Sequence, residues 1–592
     1  MNCLHYALSV QSCAAHLFAV SLSIPATEQK SLTLTLPSWI PGSYMVRDFA
    51  KNIITLDATD SNGQALPTTK TDKQTWQIES LGNAVTVSYT VYAFDLSVRA
   101  AYLNDEYGFI NGTSAFLQVQ ELSDLPCKLR ISLPNTLSHW QIETSMPSND
   151  DDEYVSANYQ ELIDHPLFMG ECVTDAIVVN GVEFVFLYSG NTPINTQRIC
   201  QDMIPVCEHH LELFGEPAPV QRYVFMTLLS DTGFGGLEHR SSTALLYPRF
   251  DLPLQREGGK RTDQYITFLS LCCHELFHTW HVKRLRPQVF LSPDLSTEVY
   301  TPQLWIYEGF TSFYDDLTLA RTGLISPQKY LEIVAQNLTR LHVSAGRKKQ
   351  SVASSSFDAW TKFYKQDASA PNNIVSYYTK GGIIAFGLDL LLREKSHNNI
   401  TLDHLMRALW EQYGKNEIGT PDHVIETLCQ NTFNIDITDF VNSVVYDTCD
   451  VPLSNWLSNI GVSLHTRPKN GLTDKGGTPP ASAYQIHPLG AMIKNAETGV
   501  TVQVVFEDSA ACQAGLQVND RIIALDGWVV NDVLLQRLLN QTSASSLPIT
   551  VLRDGRLLNL ALPVLPKREE ACYFTIDDED KFADWLTVPK AR

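Results

Sequence analysis

The segment HELFHTWH (274–281) sets two histidines four residues apart, with Glu275 directly after the first. On a helix that spacing stacks His274 and His278 on one face about one turn apart, so both imidazoles can converge on one metal ion. Glu275 beside them is suited to act as general base toward a water activated by that metal. Two solvated helix histidines would give the same five-residue match, so the remaining parts of a site must be sought elsewhere. A catalytic metal takes three protein ligands and keeps a fourth position open. His281 shares the helix face but lies seven residues from His274, about 10 Å along a straight helix, too far for one tetrahedral site. Glu308, in LWIYEGFTSFYDDL, is the better third ligand, because a carboxylate among apolar and aromatic helix residues is costly without a partner such as a metal. Asp315, seven residues on, is either an orienting partner for a ligand histidine or a solvated carboxylate.

Two weaker elements flank this helix. Upstream, DTGFGGLEH follows an apolar run; Gly235 and Gly236 would let backbone approach a substrate, and Glu238, followed by His239, offers a carboxylate at a strand edge. Downstream, SYYTKGG puts Tyr377 and Tyr378 at the start of a helix, where a phenol can donate to the oxyanion of amide hydrolysis. Taken singly, a glycine turn and a tyrosine at a helix start are more often structural.

The elements that must carry these residues are legible from periodicity. Residues 1–170 alternate apolar and polar positions in short runs, as in NAVTVSYTVYAF and CKLRISLP, which predicts a β-sandwich-like domain. From 171 to 465 the texture becomes α+β, with QRYVFMTLLS as a strand and helices around 263–285, 301–322, 377–395, 402–413 and 421–430. The 263–286 stretch reads as one helix, capped by Thr262 or Asp263 and stopped by Pro287. Lys283, Arg284 and Arg286 then mark its charged end, with contact to substrate as the alternative. Residues 466–483 concentrate Gly, Pro, Lys and Thr and read as a linker. Short strands around one helix near 531–540 make a module over 484–567, and 568–592, with DDED, reads as a solvated tail.

The chain has 592 residues and a formal charge of −21, which excludes a binder of nucleic-acid backbone as the first expectation. Its 44% hydrophobic content excludes disorder for most of its length. Twelve cysteines without dense spacing or a CxxC pair point to free thiols in a reducing compartment. The first 25 residues make a poor signal peptide, and no apolar run is long enough to span a membrane, so a cytoplasmic protein without membrane or nucleic-acid partners is expected.

Together and in this order, HELFHTWHVKRLRP, WIYEGFTSFYDDL, GGLEH, SYYTKGG and LPSWIPGSYMVRDFAKNI (36–53) resemble the glycyl aminopeptidase family of gluzincin-type zinc metallopeptidases. The 29 residues between His278 and Glu308 are more than the wider aminopeptidase group uses and resemble this family's gap. The resemblance implies a thermolysin-like catalytic domain and one Zn2+ per chain on His274, His278 and Glu308. It makes Glu275 general base and then proton donor, Glu238 the holder of the substrate's free α-amino group, and Tyr378 the oxyanion donor, with His239 or Tyr377 as possible helpers. Gly or Ala at the peptide N-terminus would be preferred. The C-terminal module resembles a PDZ domain, with Leu489, Gly490, Ala491 and Met492 where such domains bind a peptide C-terminus, or else a docking or lid domain with no free ligand. Asn519 stands where the pattern usually has Gly, a place Asn tolerates because it too visits positive φ. The rival functions are a zinc endopeptidase and a peptide-binding adaptor with an inert peptidase domain.

Overall fold

The computed structural model of the chain describes residues 3–480 and 486–587. Residues 481–483 of the expected linker, 484–485 of the expected PDZ module and 588–592 of the expected tail lie outside them. The fold is multidomain α+β, and it divides into two compact units, Met1–Val299 with Trp410–Gly419, and Tyr300–Leu409 with Thr420–Arg592.

In the first unit the N-terminal residues build three sheets. The largest has six strands, β1 (Leu4–Ser12), β2 (Leu17–Ile24), β3 (Ile53–Asp60), β4 (Val85–Tyr92), β5 (Cys127–Ser132) and β6 (Tyr154–Ser156), in the order β6-β5-β1-β2-β4-β3. Alternation decides which face is buried: in β4, Val85, Val87, Tyr89 and Val91 point into the core and the residues between them outward. A second layer follows from 172. Strands β7 (Cys172–Val179), β8 (Val182–Ser189), β9 (Arg222–Ser230), β10 (Gly235–Glu238) and β11 (Ser242–Pro248) form one sheet in the order β7-β8-β9-β11-β10. Strand β9 is buried from Tyr223 to Leu229 because both faces are covered, as its unbroken apolar run requires. Val224, Met226 and Leu228 join a cluster with Ile40, Val98 and Phe109 of the N-terminal domain. On the other face Phe186 stacks on Phe225 with ring centroids 4.6 Å apart, on the side of helices α1 (Thr196–Phe214) and α2 (Asp263–Phe277).

The second unit is built on α3 (Leu304–Arg321), α4 (Pro327–Val343) and α5 (Tyr377–Ser396), with shorter helices Leu402–Leu409 and Val424–Phe433. Helices α1 and α4 were not among those read from the sequence. Pro205 inside α1 conceals that helix, whereas Pro327 of α4 sits in the first turn, where its missing N–H costs nothing. The PDZ module has strands in the order Ala491–Asn495, Val500–Val505, Arg521–Leu525, Ser546–Arg553, Arg556–Pro563, and one long helix, Asp532–Gln541. Asn519 has φ 71°, the conformation expected of it.

Three expectations are corrected. The metal-motif helix ends at Phe277 with His278 as its C-cap, and Val282 turns the chain at φ 97°, so His281 does not share a helix face with His274. The linker begins inside a strand, Val462–Pro468. The expected tail is folded: Glu569–Ile576 pairs antiparallel with Val462–Pro468, and the helix Glu579–Leu586 buries Phe582 and Trp585. A charged surface on an amphipathic strand and helix had the composition of a solvated tail.

Candidate active site

In the first unit, α2 begins where the Thr262 side chain accepts from the Tyr265 N–H. Three buried donors then fix its backbone beneath the motif. The His210 ring bonds the Cys273 carbonyl at 3.2 Å, the Tyr223 hydroxyl donates to the Glu275 carbonyl at 3.1 Å, and Arg284 donates to the Thr279 carbonyl at 2.7 Å. Burial lowers the His210 pKa to about 4, so this imidazole is neutral. Arg284 also donates to the carbonyls of Arg240 and Pro219, and burial lowers its pKa to about 10.

His278 is 1% exposed, and its Nδ1 lies 2.8 Å from the His281 carbonyl. A carbonyl only accepts, so Nδ1 carries the proton and Nε2 keeps its lone pair, the tautomer a metal ligand needs. The His281 role found here is therefore through its backbone. Glu238, at the end of edge strand β10, and Glu275 are each 4% exposed. Ligand atoms of Glu238, Glu275 and His278 all lie within 4.8 Å of one another. Two carboxylates this close in a buried place call for a cation. The Oε1 of Glu238 is buried and has no hydrogen-bond partner among the described residues.

Glycines make this crowding possible. A Cβ on Gly236 would overlap the Glu275 carboxylate, and a Cβ on Gly42, where φ is +95°, would overlap that of Glu238. Gly235 lies near Arg99, whose guanidinium donates to the Gly236 carbonyl at 2.9 Å. Gly42 comes from the WIPGSY stretch, whose part in the site the motif helix alone does not announce. A cavity of about 340 Å³ opens beside Glu238, walled by Trp39, Ile40, Tyr44, Phe290, Arg240 and Lys283.

His239 is placed differently from its neighbour. Its ring is buried between Asp164, 3.6 Å from Nδ1, and Asn111, 3.5 Å from Nε2. Asp164 also takes Lys283 Nζ at 2.6 Å and the Arg240 N–H at 2.8 Å. Burial alone would raise the Asp164 pKa, but Lys283 and His239 outweigh it and hold the carboxyl well below the usual range. Arg240 and Arg286 pair with Glu417. Of the basic cluster after α2, Lys283 and Arg286 are thus committed to ion pairs, and Arg284 alone meets the end of the helix, through the Thr279 carbonyl.

In the second unit, Glu308 is 2% exposed on α3 and followed by Gly309, and α5 carries Tyr378 and Gly381. A Cβ on Gly309 would come 2.5 Å from the Gly381 Cα. The two helices therefore cross backbone to backbone, and the crossing brings Glu308 and Tyr378 near each other. Burial and then the Glu308 charge push the Tyr378 pKa well above its ordinary value, so the phenol remains a donor. Tyr377 is fully buried in a stack with Phe363 and Tyr378.

The PDZ residues are also placed. Leu489 lies in the module's core, and Gly490, at φ +71°, packs against Ser509, its carbonyl accepting from the Phe506 N–H and the Ser509 hydroxyl. Ala491 opens the sheet's edge strand, and Met492 is exposed.

The chain is similar to known proteins along its length. Residues 5–171 match the Peptidase M61 N-terminal domain, 267–384 match M61 glycyl aminopeptidase, and 488–564 match a PDZ domain. An aminopeptidase N family protein from Idiomarina loihiensis is 39% identical with a TM-score of 0.95, over 99% of this chain and 100% of that one. An M1 zinc metallopeptidase mutant from Deinococcus radiodurans is 14% identical at a TM-score of 0.48, over 76% and 95% of the two chains. Legionella pneumophila aminopeptidase A, in complex with aspartic acid, is 11% identical at 0.48, over 75% and 49%. No curated protein matches the chain. The chain is a metallopeptidase, and it belongs to the M61 glycyl aminopeptidase family.

Proposed function

We propose that the protein is a zinc aminopeptidase that removes single N-terminal residues, Gly or Ala first, from peptides. The observation that carries this reading is the buried group of Glu238, Glu275 and His278, with an unsatisfied Glu238 oxygen at the end of an edge strand. His274, His278 and Glu308 would hold the zinc. The fit rests on the His278 tautomer set by the His281 carbonyl and on the burial of Glu308 in an aromatic helix. When bound, zinc supplies Lewis-acid polarisation of the scissile carbonyl and makes water acidic enough to be deprotonated near neutral pH.

The remaining work falls to side chains. Glu275 takes the proton from the attacking water and delivers it to the leaving amine. The Tyr378 phenol donates to the oxygen that becomes negative at the tetrahedral stage. Glu238 holds the protonated α-amino group, a fixed anion that limits cleavage to the first residue. The edge of β10, through Gly235 and Gly236, offers backbone groups along which a peptide can lie. His239, committed to Asp164, supports the turn after Glu238 instead of touching substrate. The twelve cysteines are all free, which supports a cytoplasmic location; among the described residues no helix is long and apolar enough to cross a membrane. The family's glycyl aminopeptidase description supports Gly as a preferred residue.

The test combines metal analysis with hydrolysis of glycyl, alanyl, leucyl and phenylalanyl amides. We expect one zinc per chain, loss of hydrolysis on chelation with recovery on adding zinc, and refusal of N-acetylated peptides. Equal cleavage of acetylated and free peptides would replace this reading with an endopeptidase.

A further inference from the structure

The PDZ module has the parts of a peptide groove. Strand Ala491–Asn495 is the edge of its sheet, and the N–H of Asp532, at the start of helix Asp532–Gln541, approaches Asn495 Oδ1 at 3.4 Å. Strand and helix therefore run in opposite directions along one channel, with the Leu489–Ala491 loop at its far end. Such a channel takes an extended peptide by backbone pairing and its last side chain in an apolar hole beside the loop.

A segment of the chain itself reaches that end of the channel. The Leu472 N–H donates to Gln536 Oε1 at 3.2 Å, and a Cβ on Gly471 would come within 2.8 Å of the same oxygen, so this segment lies on the helix one turn in from its start. Leu472 packs against the module's core, as do Ala491 and Ile493 from the strand and Leu534 and Leu538 from the helix. Gly471 and Leu472 wall a space of about 80 Å³ together with Leu489, Gly490 and Ala491.

The segment is built to stay there. Asp474 takes Arg467 at 2.6 and 3.2 Å through two guanidinium nitrogens, and it also accepts from the N–H groups of Asn470 (2.7 Å) and Gly476 (2.8 Å). The Asp474 N–H donates to the Gly471 carbonyl at 3.3 Å, which closes a turn with Leu472 in the middle. Arg467 is 3% exposed and belongs to the strand Val462–Pro468, so the turn is anchored outside the module it plugs.

We infer that Leu472 is an internal ligand: it occupies the apolar end of the PDZ groove, and a peptide ending in a free apolar residue binds only when this turn withdraws. A closed groove lowers apparent affinity by the fraction of time it stands open. The probe is a decapeptide ending in Leu with a free carboxylate, its N-terminus capped with fluorescein so that a peptidase needing a free amine leaves it whole. Anisotropy titrations use the full chain as wild type, Leu472→Ser, Leu472→Ile and Asp474→Asn. Leu472→Ser and Asp474→Asn should bind at least about tenfold more tightly than wild type, and Leu472→Ile should resemble wild type. Hydrogen exchange should rise at 491–495 and 534–538 in both opened variants while 500–505 and 546–553 stay protected, which shows the module folded. Equal titrations for wild type and both opened variants, binding by none included, overturn the inference.

Discussion

At the scale of the residue, three glutamates with the same side chain have different surroundings, and the proposed function gives them different work. Glu275 lies against Gly236 and follows a histidine on α2, Glu238 presents an unsatisfied oxygen at a strand end, and Glu308 is sealed into an aromatic helix. Glu275→Gln keeps the shape and, on the proposed function, removes the base. We expect kcat to fall by about 100- to 10,000-fold with zinc content unchanged, read by steady-state kinetics and metal analysis; full activity in that variant would remove Glu275 from the reaction. On the same reading Glu238→Gln loses a charge-assisted hydrogen bond to an ammonium, worth about 1.5–3 kcal/mol. The KM for alanyl amides should rise by about 10- to 100-fold, and the preference over acetylated substrates should narrow by the same factor. An unchanged ratio of the two substrates would mean that another group reads the N-terminus.

At the scale of the element, glycines and ion pairs set where functional helices and loops lie. Gly309 and Gly381 let α3 and α5 touch, and Gly309→Ala forces a Cβ into the Gly381 backbone. Such overpacking costs about 1–3 kcal/mol, and urea unfolding should show it together with a loss of activity as Glu308 moves. Wild-type stability and activity in this variant would contradict the tight crossing. The loop after Glu238 depends on Asp164, whose carboxyl is held below its ordinary value by Lys283 and His239 against the opposing effect of burial. The sign follows: a depressed folded value contributes stability that is complete above the unfolded pKa of about 4 and is lost as pH falls through the folded value. Asp164→Asn leaves Lys283 buried without its partner, costs about 3–5 kcal/mol, and should flatten that part of the acid limb in pH-dependent unfolding.

At the scale of the molecule, the end of the chain belongs to the fold. Trp585 Nε1 donates to Asp389 of α5 at 2.7 Å, and the Cys572 N–H donates to Thr339 Oγ1 of α4 at 2.9 Å. Trp585→Ala should cost about 3–5 kcal/mol, and a chain stopped after Pro566 should be poorly soluble and unfold at lower urea. A solvated tail would leave both measurements at wild-type values. Asp164, Glu417, Asp389, Asp403 and Asp474 are paired with buried or half-buried cations and so add nothing to the net charge of −21, which rests on the carboxylates in excess of the 44 Lys and Arg.

The sequence by itself determined the parts whose information is local. Four-residue spacing aligns His274 and His278 on one helix, alternation in β4 and the unbroken apolar run of β9 mark their sheets, and the Glu-Gly and Tyr-x-Lys-Gly pairs mark α3 and α5, because this information lies within a few residues. It also showed Glu238 beside two glycines, but not that Gly236 makes room for Glu275. Tertiary structure alone decided the rest. Where α2 ends depends on Arg284 meeting carbonyls from distant loops, and His239 turns to Asp164, 75 positions earlier in the chain. Gly42 meets Glu238, Trp585 closes on Asp389, and Leu472 enters a groove formed by residues beyond 488. Each of these joins groups far apart in sequence, and no local period carries the identity of a partner that only the folded chain brings near.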